Sequence, residues 1–132
     1  MLLEAFIAIL IFSMGILAIV GMQASAIRNS ADARYRSDAN LLANELLGEM
    51  WVSDRIPANL QANFQGGGGT DGATYTSWYS EVQATLPGSI TNPPTVSVDP
   101  ATSNVTIVMR WLQPSEPAGT APHSYTVVAQ IQ

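Results

Sequence analysis

The sequence predicts an α+β fold, with one long N-terminal helix laid across a small C-terminal antiparallel sheet. Three features carry that expectation. Residues 5–27 contain no charged side chain. The helical pattern then runs on to Trp51 with no proline. The last third of the chain changes period, into β-branched and aromatic runs separated by Pro- and Gly-containing turns.

The first stretch, LLEAFIAILIFSMGILAIVGM from Leu2 to Met22, holds a single ionisable residue, Glu4. As a helix at ~1.5 Å per residue, positions 5–27 reach roughly 34 Å, enough to cross a bilayer core of ~30 Å. A secretory signal has a basic start and a shorter apolar core. Here nothing basic precedes the run, although Ala24-Ser25-Ala26 has the look of a cleavage motif. The expectation is a single transmembrane span over residues 1–23. Arg28, Arg34 and Arg36 follow the span, so positive charge by itself places the C-terminal part on the cytoplasmic side. A basic segment upstream of Met1 would reverse that orientation.

Past the apolar run the pattern becomes amphipathic over residues 24–54. Ile27, Ala31, Tyr35, Ala39, Leu42, Leu46 and Met50 recur at spacings of four and three, one stripe of a helix. Arg28, Asp32, Arg36, Glu45 and Glu49 lie off that stripe, and Asp32 and Arg36 are spaced i,i+4 as a favourable pair. Tyr35, Met50 and Trp51 are expected in the core. Pro57 is expected to stop the helix, which should end near Asp54.

The segment 55–88 is looser. Positions 56–65 show little periodicity, and Gly66-Gly67-Gly68-Gly69 reads as a flexible loop. No strand precedes this run, no helix signal follows it directly and the chain has no lysine, so a phosphate cradle does not fit. Trp78, Val82 and Leu86 are spaced for a short helix over 77–86, with Ser77 as its N-cap and Pro87-Gly88 as its stop. A strand over 74–79 competes with that helix.

Within 95–132, TVSVD (95–99), NVTIVMRWLQ (104–113) and SYTVVAQIQ (124–132) read as antiparallel strands. In the middle one, Val105, Ile107, Met109 and Trp111 form a wholly apolar face. That face needs a cover, and the stripe over 27–51 is the element able to supply it. The helix–sheet core is therefore expected to include Tyr35, Leu42, Leu46, Met50 and Trp111.

Composition narrows the function. The net charge is −5, with five basic against ten acidic residues. A nucleic-acid partner needs a basic face, which disfavours that class. There is no Cys, hence no disulfide or thiolate metal site. The carboxylates are scattered, and His123, the one histidine, lies between Pro122 and a strand and reads as an exposed loop residue. Asn104-Val105-Thr106 matches a glycosylation sequon but falls inside a strand. No catalytic set, cofactor or metal site can be argued, and the chain reads as a non-enzyme.

These residues together resemble a type IV pilin-like protein. The resemblance rests on Leu2-Leu3-Glu4-Ala5, the unbroken apolar span and an amphipathic helix feeding a C-terminal antiparallel sheet. More narrowly, Ile9–Gln23, Tyr35-Arg36-Ser37, Leu42-Ala43 and Leu46 are similar to minor pilins of the type IV pilus modification protein subfamily. Trp78, Val82, Leu86-Pro87-Gly88 and Val105 to Arg110-Trp111 extend that likeness, which covers most of the chain.

The resemblance implies a pilin fold and a role in initiating or modifying pilus assembly through subunit packing. The implied partners are other minor pilins, the major pilin, the inner membrane and a prepilin peptidase acting upstream of Met1. It also implies a Gram-negative bacterium, an anchored form with its C-terminal domain in the periplasm, and a pilus or surface location after assembly. In that family the peptidase cuts after a basic leader ending in Gly, the new N-terminal residue is methylated, and a Glu stands fifth in the mature chain. Glu4 would be that residue if a leader ending Gly-Phe, or similar, precedes Met1.

Gly21 then falls where major pilins carry a helix-breaking Pro, which makes it a point of helix loosening. The absence of a C-terminal Cys pair is a second departure from the major subunits. Two other readings share parts of this pattern. A minor pseudopilin of type II secretion has the same helix and Glu, and neighbouring genes separate the two. A membrane-tethered adhesin would use the loops at 66–69 and 114–122 instead, and binding of sugar or surface without partner pilins would identify it.

Overall fold

The computed structural model describes residues Met1–Gln132. The elements are α1 (Leu2–Val52), α2 (Pro57–Phe64), α3 (Ala73–Thr85), β1 (Thr95–Val98), β2 (Asn104–Trp111) and β3 (His123–Gln130). The chain divides into two units, residues 1–34 and 35–132.

The first unit is helix throughout its length after Met1. Every residue from Met1 to Ser30 is exposed. It is the one helix long and apolar enough to cross a membrane. Ile27 is 69% exposed, so the expected cover over 27–51 starts too early. Full burial begins only at Ala39, well beyond Ile27.

In the second unit the rest of α1 covers the sheet. Ala39, Leu42, Ala43, Leu46, Leu47 and Met50 are its buried residues. Tyr35 packs against this core while staying partly exposed. Trp51, read from the sequence as core, is 47% exposed. It follows Met50 by ~100° around the helix and so turns away from the buried stripe.

β1, β2 and β3 form a three-stranded antiparallel sheet in that order. On β2 the apolar face is fully buried, with Val105, Ile107, Met109 and Trp111 all at 0% exposure. Their alternation with half-exposed neighbours follows from the two-residue period of a strand. The α+β class and the helix-on-sheet arrangement read from the sequence are those of the molecule.

The middle segment departs from its sequence reading. Positions 57–64 form α2, a helix that periodicity does not reveal because it spans only about two turns. Pro57 is not the direct stop of the preceding helix. It occupies the first turn of α2, where its missing N–H has no intrahelical partner to lose. α1 itself ends at Val52.

α3 starts at Ala73, four residues ahead of the expected 77, and Gly72 rather than Ser77 is its N-cap. The competing strand over 74–79 does not form. Trp78 and Val82 are buried on α3 as spaced, and Leu86 closes it. Gly88 then adopts φ +75, and a Cβ there would lie 2.8 Å from that of Leu112. A side chain is excluded on both counts.

Candidate functional site

Three regions carry chemistry that the fold leaves accessible: the exposed half of α1, the segment around Gly66, and the β2–β3 connection. The first is the largest. Its wheel is apolar all round, unlike the one-sided stripe of a surface helix. Glu4 lies in its first turn, where the helix dipole favours a negative charge by at most ~1 kcal/mol. The next charge along the chain is Arg28. Gly21 sits in continuous helix, with no heavy atom within 4 Å of where its Cβ would be. No break accompanies it. A glycine costs a helix only about 1 kcal/mol, and the helix runs on through the turns on either side.

The second region is more ordered than a glycine run suggests. Gly66 donates its N–H to the Val96 carbonyl at 3.1 Å and accepts from the Val96 N–H at 3.0 Å. Asp71 accepts the Gly67 N–H at 2.8 Å, which closes the turn. A Cβ on Gly66 would fall 2.3 Å from the ring of Tyr75. That ring is buried, and its hydroxyl donates to the Pro94 carbonyl at 2.6 Å. Burial, with the Asp71 charge adding to it, pushes the Tyr75 phenol well above its usual range. Beside this turn lies a cleft of about 280 Å³, lined by Gln65, Gly66, Gly68, Thr70, Thr95 and Ser97 among others. No titratable side chain lines it, so it offers hydrogen bonds but no acid or base.

The third region corrects the reading of His123. It is the first residue of β3, paired with Trp111 across the hairpin. Its ring stacks on that indole, with centroids 5.8 Å apart and planes at 15°. Its Nε2 lies 2.7 Å from Glu116 Oε1, while Glu116 Oε2 accepts the Gln113 N–H at 3.0 Å. The Pro-rich connection thereby folds back over the end of the sheet. Nothing local in the sequence pairs Glu116 with His123, because the contact depends on the hairpin register.

The residues named from the sequence thus fall into two groups. Leu42, Leu46, Met50 and Trp111 meet in one buried cluster with Tyr35 at its margin. Trp78, on α3, joins them by donating its indole N–H to the Leu42 carbonyl at 3.0 Å. Glu4 and Gly21 belong to the exposed helix instead. No group of three or more His, Cys, Asp or Glu side chains is placed to hold a metal ion. No known family model, curated protein or solved structure matches this chain.

Proposed function

We propose that the protein is a minor pilin that takes part in initiating or modifying type IV pilus assembly by subunit packing. One observation carries this reading. A lone carboxylate stands at the head of an uncharged, fully exposed helical segment, and the same helix goes on to cover an antiparallel sheet. The sequence resemblance described above points the same way.

The physical logic concerns where such a helix can rest. In water the apolar half of α1 is unfavourable by ~25 cal/mol for each Å² of apolar surface. A bilayer removes that cost, and so does a bundle of like helices. Glu4 distinguishes the two settings. Deep in hydrocarbon an unpaired carboxylate costs several kcal/mol, so before assembly it stays near the membrane surface or takes up a proton. Within a bundle it requires a cation, and the terminal amine of a neighbouring mature subunit supplies one. In this reading the inner membrane holds the single span with the head in the periplasm. Other minor pilins and the major pilin are the partners, and a prepilin peptidase acts upstream of Met1.

The test is Glu4→Ala in the full chain. Membrane insertion and the folded head are expected to persist, while incorporation into sheared pili falls to background. Normal incorporation of the variant would overturn the role of Glu4.

A further inference from the structure

The two edges of the sheet are treated differently. The outer side of β1 is occupied, because Gly66 holds both the N–H and the C=O of Val96. β3 ends the sheet on the other side and pairs only with β2.

The register tells which backbone groups of β3 face outward. Val96 turns its polar groups to Gly66, so its partner Ile107 turns its own toward β3 and bonds Val127. Alternation along the antiparallel ladder then makes Ala129, Tyr125 and His123 inward-bonded as well. Ser124, Thr126, Val128 and Gln130 present their N–H and C=O groups to the open side. Their side chains are all exposed, as the same alternation requires.

Natural sheets protect such an edge with lysine, proline, a bulge or a covering segment. β3, HSYTVVAQ, contains no proline, glycine, acid, lysine or arginine, and its register to β2 runs unbroken over its whole length. In a chain of net charge −5 this is a charge-free row, matched to an uncharged partner. The apolar layer also stops one strand short. Met109 and Ile107 on β2 are fully buried, whereas Tyr125, Val127 and Ala129 beside them on β3 are only partly so. A further strand with apolar residues on that face would complete the layer.

We propose that β3 receives an uncharged, alternating apolar–polar strand from another protein by β-strand addition. The partner's backbone pairs with residues 124, 126, 128 and 130, and its apolar side extends the row of Tyr125, Val127 and Ala129. This interface borders the head part of α1, where Asn40 accepts the Tyr125 hydroxyl at 3.1 Å. It does not involve Glu4 and stands whether or not Glu4 directs assembly.

The experiment uses the full chain in detergent micelles and a short capped peptide of alternating threonine and valine. The peptide is N-methylated at every second amide so that only one of its edges can pair. Hydrogen exchange at Ser124, Thr126, Val128 and Gln130 is expected to slow about tenfold or more on peptide addition, with Tyr125, Val127 and Ala129 unchanged. Thr126→Pro removes one outward donor and leaves the ladder to β2 intact, and it should abolish the effect. Val128→Lys, a milder change on the exposed face, should weaken it with the urea midpoint of the head unmoved. Absent or uniform protection, or either variant behaving as the parent chain does, overturns the proposal. Concentration-dependent protection of the same amides without peptide would identify a second copy as the occupant and overturn it too.

Discussion

The two halves of α1 form one continuous helix and are fitted to different surroundings. In residues 2–27 leucine, isoleucine and alanine occupy every face, and none is buried. From Tyr35 onward the apolar residues are confined largely to one stripe, and Ala39, Leu46 and Met50 reach 0% exposure. Helix propensity is similar in both, so secondary structure does not separate them. What differs is the distribution of charge: none over 5–27, then acids and arginines off the stripe. A helix that leaves polar faces open can lie on a sheet in water, whereas one without polar faces needs lipid or other helices.

That contrast is easiest to break by removing the same atoms from each half. Leu46→Ala is expected to cost the head about 2–5 kcal/mol, through lost burial and the cavity left behind. Leu10→Ala, at a position 62% exposed, should leave the urea midpoint of the head unchanged. Equal effects in urea titrations would remove the distinction between the halves.

Within the head, close packing leaves Gly66 no room for a side chain. Gly66→Ala drives a Cβ into the Tyr75 ring, which is pinned by its hydroxyl and has no free end to swing away. A loss of about 1–3 kcal/mol is expected by denaturant titration. The two internal glycines of the exposed half, Gly15 and Gly21, have open space around them, and alanine there should not destabilise the head.

Tyr75→Phe deletes one buried hydrogen bond and should cost about 0.5–1.5 kcal/mol near neutral pH. It should also flatten the alkaline limb of stability. Folding raises the phenol above the ordinary tyrosine value of ~10, so its contribution is complete below that pH. As pH rises further, the unfolded chain releases the proton first and stability falls. Parent and Phe variant with identical alkaline limbs would refute this.

The smallest effect belongs to the exposed turn at Asp99. The Thr102 hydroxyl, with help from the Ala101 N–H, holds its carboxyl below the usual range. That contribution is present above an ordinary Asp value of ~4 and fades as pH falls below it. Asp99→Asn should lower the urea midpoint slightly at pH 7 and make its acid limb shallower, with parent and variant converging at low pH.

Legibility followed the range of the interactions involved. Strand positions came through to within two residues at each end, because the alternation in β2 and the β-branched runs of β1 and β3 are local signals. The uncharged run and Glu4 were equally plain. α2 was not legible, since two turns of PANLQANF hold too few apolar residues to set a period. α3 was found but started late, because Gly72 caps it without a side chain. His123 was misplaced because its partners, Trp111 and Glu116, reach it only through the hairpin.

The sequence by itself therefore determined the long helix, its division into an apolar and an amphipathic part, the three strands and the isolation of Glu4. All of these rest on composition and short-range period. Only the tertiary structure decided where burial begins on α1 and that Trp51 lies outside the core. It also decided that Gly66 is tied to Val96 beneath Tyr75, and that one sheet edge is covered while β3 is left open. These depend on which segments meet across tens of residues, and the free energy of such contacts is set by packing and register, which no local pattern encodes.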